Sequence, residues 1–150
     1  MPEYDYASAG GYFVTISTHK QANLFGRIID QKVSLSAFGE IAKSCWQAIP
    51  THFPQVIIDQ FIVMPNHMHG ILFIKPQHAA PLRQDGLQVT PGSLGAIVRS
   101  YKAAVTKQIR ELQSAPALIV WQRNYYERVI RDEVELEQMR FYILHNALPH

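Results

Sequence analysis

The run VIIDQFIVMPNHMHGILFI, from Val56 to Ile74, decides how this chain folds. Its outer pieces, Val56–Val63 and Ile71–Ile74, are rich in β-branched and aromatic residues and read as strands. Pro65-Asn66 between them reads as a turn or bend. Just after the turn, His67 and His69 are separated by Met68. On a strand, residues two apart share a face, roughly 7 Å from each other. Two imidazoles on one face can converge on one metal ion. A histidine pair on a strand is also an ordinary structural feature, so the pair needs further residues before it means a site.

Working toward the N-terminus, Ser36 opens a stretch in which Phe38, Ile41, Ala42, Cys45, Trp46 and Ile49 recur at helical spacing, with Pro50 expected to end it. Leu24–Ser36 holds two β-prone pieces around Asp30-Gln31 and predicts a small hairpin. Gly11–His19 predicts a strand. Toward the C-terminus, residues 76–93 are loop-like, with three prolines and two glycines. Leu94, Ile97, Val98, Tyr101, Ala104, Val105, Ile109 and Leu112 then form a helical stripe that Ser93 can cap and that must end before Pro116. Leu118–Gln122 and Tyr126–Ile130 read as extended. A last helix follows, with Asp132 and Glu135 at capping-box spacing and Val134, Leu136, Met139, Ile143 and Leu144 as its apolar face. The order strand, helix, strand, strand, helix, strand, helix suits an α+β fold. The arrangement expected is a ferredoxin-like plait, an antiparallel sheet with helices on one face plus a C-terminal helix.

Composition bounds the class. At 150 residues the chain is expected to form one domain, residues 1–150. With 47% hydrophobic and 17% charged residues it can bury a core. Its apolar runs are too short to span a bilayer, and MPEYDYASAGGY lacks the pattern of a signal peptide, so the expectation is a cytoplasmic protein with no membrane partner. The single cysteine, Cys45, reads as a buried, inert thiol. A net charge of +2 permits nucleic acid without demanding it. In the C-terminal third, basic residues are interspersed with Trp121, Tyr125 and Tyr126, a mixture that can hold phosphates and stack on unpaired bases. Neighbouring carboxylates make a plain solvated surface the simpler reading of that charge.

The last helix offers what a site around the histidines lacks. Tyr142 and Asn146 are four apart and share a face. No nucleophilic triad, glycine-rich phosphate loop or cysteine-based zinc cluster competes with this grouping. Tyr101 falls on the apolar stripe of its helix and reads as core, while Tyr125 and Tyr126 alternate, one inward and one outward.

MPNHMHG after an apolar strand resembles the His-hydrophobic-His motif of HUH endonucleases. The segments LFGRIIDQKVSLSAFGEIA, SLGAIVRSYKAAVTKQI and VWQRNYYERVIRDEVELEQMRFYILHN extend the resemblance over nearly the whole chain. Together they are similar to single-tyrosine transposases, most closely the REP-associated tyrosine transposases. The resemblance implies a metal-dependent endonuclease and strand transferase acting on single-stranded or hairpin DNA through a 5′-phosphotyrosine. It implies Tyr142 as nucleophile, His67, His69 and Asn146 as metal ligands, and Mg²⁺ or Mn²⁺ as the ion. Relatives often have Asn-Pro where this chain has Asn146-Ala147. Gln122, Arg123, Arg131, Tyr126 and Lys102 are candidate DNA contacts. Family members pair as homodimers or act alone, and both states stand open. A phenol with a pKa of about 10 needs a nearby cation or base to react. A covalent phosphotyrosine keeps the energy of the broken bond for rejoining. Two alternatives remain: a non-catalytic nucleic-acid-binding plait of the same fold, and a small metal-dependent hydrolase.

Overall fold

In a computed structural model that describes residues 10–76 and 93–145, the central run folds as two antiparallel strands joined at Pro65-Asn66. The chain order is β1 (Gly10–Ser17), β2 (Gly26–Ile29), β3 (Lys32–Leu35), α1 (Ala37–Gln47), α2 (Ile49–His52), β4 (Val56–Met64), β5 (His67–Ile74), α3 (Leu94–Gln113), β6 (Tyr126–Ile130) and α4 (Glu133–His145). Strands β4, β5, β1 and β6 make one antiparallel sheet in that spatial order. With the β2–β3 hairpin set aside, this is the expected ferredoxin-like plait. The loop-like segment lies almost wholly outside the described residues, as does Asn146.

Strand alternation divides the sheet into two working faces. Val14 and Ile16 of β1 and Met68 and Leu72 of β5 point to one face, where α1 and α3 close the main core with Ala42, Trp46, Ile97, Val98, Val105 and Ile109. Phe13, Ile71 and Phe73 point to the other, where Leu136 and Ile143 of α4 cover them. The two core helices therefore share a face, as expected, and α4 takes the opposite one.

Local signals explain the ends of the elements. The Ser36 hydroxyl accepts from the Gly39 N–H at 3.1 Å and the Ser93 hydroxyl from the Ala96 N–H at 3.3 Å, so both core helices start at the residues predicted. Asp132 accepts from the Glu135 N–H at 2.8 Å. The hairpin turn puts Asp30 and Gln31 at φ of 50° and 67°, the paired positive values of a two-residue primed turn.

Two expectations are corrected and one is refined. Pro50 does not stop the helical stretch. The chain kinks at Ala48, and Pro50 sits in the first turn of α2, where its missing N–H costs nothing. Leu118–Gln122, read as extended, does not join the sheet as a strand of its own. It runs beside the end of β1 through His19 N–H to Val120 O and Gln122 N–H to Ser17 O, both 2.9 Å, with a lone bridge between Thr18 and Trp121. On α4, Val134 and Leu144 face outward, so only Leu136, Met139 and Ile143 of the predicted apolar set meet the sheet.

Trp46 lies at the middle of the main core with no exposed surface, edge-on to Tyr101 at 5.2 Å. Its Nε1–H has no hydrogen-bond partner among the described residues, a cost that close apolar packing must offset. The packing is close because Gly70 of β5 leaves room: a Cβ there would overlap the Trp46 ring. Gly70→Ala is therefore expected to lose about 1–3 kcal/mol of stability, or roughly 3–10 °C in Tm for a domain of this size. An unchanged calorimetric Tm would show that β5 does not carry α1 this closely.

Candidate active site

His67 and His69 sit at the start of β5, opposite Ser17 and Thr15 of β1 on one side and Met64 and Ile62 of β4 on the other. The period of two sends both rings to the α4 face and Met68, fully buried, to the other. The ring centroids are 4.6 Å apart and inclined at 68°. The turn before them is pinned by Thr18 N–H to Asn66 O and Phe25 N–H to Pro65 O, both 2.9 Å.

Each ring is oriented through its Nδ1. His67 Nδ1–H donates to Asn66 Oδ1 at 2.7 Å, which leaves the lone pair on Nε2. His69 Nδ1 and Thr15 Oγ1 share a hydrogen bond of 2.8 Å. With the proton on Nδ1, His69 too presents an Nε2 lone pair. Neither Nε2 is hydrogen-bonded among the described residues. Burial lowers the pKa of His67. Burial, with His67 alongside, pushes His69 down to about 4. Both rings are thus neutral near pH 7, the state a metal ion binds. Partners that fix ring orientation are what a ligand pair needs.

Tyr142 on α4 completes an aromatic group with them. Its ring is edge-on to His69 at 5.3 Å and to Phe13 at 6.0 Å, while Phe13 stacks on His69 at 5.4 Å. Tyr142 is half-exposed, so its hydroxyl can meet a ligand from solvent. Helix α4 is held against the sheet by Leu136, Met139 and Ile143 and by an ion pair from Arg140 to Asp59 of β4 at 2.6 Å. His145 turns aside, stacking on Phe141 at 3.9 Å. Asn146 is outside the described residues, so the expected third ligand is not placed. Among the described residues no group of three His, Cys, Asp or Glu side chains could hold a metal ion.

The candidate DNA contacts separate. Tyr126 is exposed on β6 opposite Thr15, in a row that runs Tyr126, Thr15, His69, Ile62 across the sheet. It therefore shares the histidine face. Gln122, Arg123 and Lys102 instead line an open cleft of about 910 Å³ along α3, together with Lys107, Arg110 and Trp121. Within it the Lys102 ammonium donates to Gln122 O at 2.9 Å and Arg123 O at 3.4 Å, tying this segment to α3. Arg131 is exposed at the far end of β6 and pairs with Glu135 at 3.2 Å, away from the histidines. Tyr101 is buried and donates to Ala42 O at 2.9 Å, as a core tyrosine should.

Sequence reasoning missed Thr15, Phe13 and Asp59. Asp59 carried a signal, since it is the one charged residue inside the apolar run Val56–Val63. Thr15 and Phe13 carried none, because only the pairing register sets them beside His69.

Comparison with known proteins places this arrangement. No protein-family model matches the chain. In the structure of a REP-associated tyrosine transposase bound to a REP hairpin, 72% of the chain superposes on 97% of this one, with a TM-score of 0.62 and 19% identity. A Deinococcus radiodurans protein assigned as a transposase gives a TM-score of 0.57 at 15% identity, covering all of this chain and 99% of its own. The fold is that of the tyrosine transposases, and the resemblance read from the sequence holds at that level. An uncharacterized protein of Haemophilus influenzae is 42% identical over 156 residues, spanning 99% of this chain and 86% of its own length. The chain belongs to the same family as that protein. No described helix is long and apolar enough to cross a membrane.

The shifted pKa can be checked directly. In metal-free buffer His69 should stay neutral down to about pH 4. Unfolded, it ionises near 6.5. Between those values the unfolded chain binds more protons, so stability should fall as pH drops through the window. The slope from this group is at most about 1.4 kcal/mol per pH unit. An NMR titration of the ring with its midpoint near 6.5 would contradict the buried environment.

Proposed function

We propose that this chain is an HUH tyrosine transposase, a metal-assisted nuclease and strand transferase on single-stranded or hairpin DNA, with Tyr142 as nucleophile. One observation carries the reading. A half-exposed tyrosine stands edge-on, 5.3 Å away, to a histidine that is one of a neutral pair. The hairpin-bound neighbour of the same fold supports DNA as the partner.

His67 and His69 would hold a divalent ion, with Asn146 as the third ligand that the resemblance implies. Once bound, the ion supplies charge neutralisation and orientation at the scissile phosphate. Imidazole ligands suit Mn²⁺ better than Mg²⁺, which prefers oxygen. In the reaction, the Tyr142 oxygen forms a bond to phosphorus as the bond to the 3′-oxygen breaks. The phenol loses its proton and the departing 3′-oxygen gains one. The 5′ side of the break stays on Tyr142, and attack by a 3′-hydroxyl on that phosphotyrosine reverses the step and joins strands. Asn66 and Thr15 keep the two imidazoles in place throughout. Tyr126, on the same face and exposed, is positioned to stack on an unpaired base beside the break. The basic cleft along α3 offers phosphate contacts to a flanking duplex.

The test uses a pool of randomised DNA hairpins with single-stranded arms, labelled at the 3′ end, incubated with the protein and Mn²⁺. A covalent adduct resolved on a denaturing gel is expected, absent in Tyr142→Phe and without metal. His67→Ala should reduce it by at least about 100-fold. An adduct that survives Tyr142→Phe removes the tyrosine from its role. Cleavage without adduct would favour a hydrolase, and binding alone a non-catalytic plait.

A further inference from the structure

Asp59 is placed by an irregularity in β4. Between Ile58, paired with Leu72, and Phe61, paired with Gly70, two residues oppose the single Ile71. Gln60 is the exposed extra residue of this β-bulge, and it lets Asp59 and Ile62 both face α4 while Phe61 turns to Trp46. The Asp59 side chain is only 8% exposed. Its Oδ1 accepts from Arg140 Nε at 2.8 Å and from the Gln60 N–H at 2.8 Å, and its Oδ2 accepts from Arg140 Nη2 at 2.6 Å. The guanidinium is fixed from its other side by Glu137 at 2.6 Å.

We propose that the Asp59–Arg140 fork is a positioning clamp that sets the rotation and height of α4 on the sheet, and through them the place of Tyr142 against the histidine pair. The proposal rests on the reading of Tyr142 as nucleophile. Its first support is directionality. The apolar contacts of Leu136, Met139 and Ile143 tolerate small slides and rotations, whereas a two-bond fork between planar groups does not. The second is location. Arg140 is two residues from Tyr142, so helix geometry passes any rotation of one to the other. The third is energetic. A buried ion pair adds little net stability, because desolvation offsets most of the attraction, so geometric definition is its more natural product. Burial works to raise the Asp59 pKa, yet the Arg140 hydrogen bonds and charge outweigh it and hold the carboxyl below its usual range. A displacement of about 1 Å in a reacting group can cost on the order of 100-fold in rate, so a clamp at this position matters to the chemistry.

The experiment compares Asp59→Asn, Arg140→Lys and a core control on α3, Val105→Ala. Three quantities are read: Tm, the single-turnover rate of adduct formation on the 3′-labelled hairpin pool, and the Kd for that pool in a Tyr142→Phe background. A fourth readout needs no activity, the NOE between the Tyr142 and His69 rings. Asp59→Asn should slow adduct formation at least tenfold with Kd unchanged within twofold, and should weaken the NOE. Arg140→Lys, keeping charge without the fork, should fall between. Val105→Ala should lower Tm at least as much and leave rate and NOE intact below its melting range. An unchanged NOE in Asp59→Asn overturns the clamp whether or not the wild type reacts. So does an equal slowing in Val105→Ala. A wild type that forms no adduct, with the NOE lost in Asp59→Asn, overturns the nucleophile reading and leaves the clamp standing as geometry.

Discussion

Everything at this site depends on the register of β5. Because a strand alternates with period two, a slip of one residue against β1 would turn His67 and His69 into the core beneath α1 and α3 and bring Met68 to the α4 face. The register is guarded from both faces. On one, Gly70 must sit under the Trp46 ring, and no other residue of β5 is small enough. On the other, Thr15 and Phe13 of β1 meet His69 through a hydrogen bond and a ring stack. The same alternation thus makes the hydrophobic core and the candidate site parts of one constraint.

That constraint explains the electrostatics. The histidines lie on a face that must also be apolar enough for α4 to dock on it. Burial there keeps the rings neutral, and their orientation comes from the neutral partners Asn66 and Thr15 rather than from carboxylates. A carboxylate against either ring would favour the protonated form and close the Nε2 lone pair to a ligand. Asp59, the carboxylate that does lie on this face, is tied up by Arg140 and is used to hold the helix.

Much of this was legible in the chain, and the physical reason differs with the element. Strands β1, β4 and β5 and helices α1 and α3 announce themselves because each buries a continuous face, so periodicity and caps agree, whereas β6, exposed at four of its five residues, shows only in its extended-chain composition. Helix α4 was legible in position, through Asp132 and Glu135, but its buried face was not. It touches the sheet along one narrow stripe, leaving Val134, Phe141 and Leu144 in solvent, so apolar residues all round it give no clear direction. Lys102 shows a role that the sequence does not reveal. Besides the phosphate contact that a basic residue among tyrosines suggests, its ammonium satisfies two backbone carbonyls, a use that only tertiary structure reveals. His67, His69 and Tyr142 were read as one group and do converge. The chemistry assigned to them rests on that convergence and not on motif spacing alone.

The two halves of the group are built differently. The histidines are fixed by sheet hydrogen bonds and a pinned turn, with His69 buried and His67 half-buried, so their geometry is shared with the core and changes only if the fold does. Tyr142 rides on a helix whose hold is a few apolar side chains and the ion pairs of Arg140 with Asp59 and of Glu135 with Arg128 and Arg131. The strand transfer proposed for this chain would draw on such a division. The group that stabilises charge is best preorganised, since any reorganisation during the reaction adds to the barrier. The group that forms a covalent bond must approach phosphorus, carry the strand and let it go. Under the proposed function, placing the first in the sheet and the second on an outer helix would meet both demands, and would put the control of reactivity in the contacts that hold α4 to the sheet.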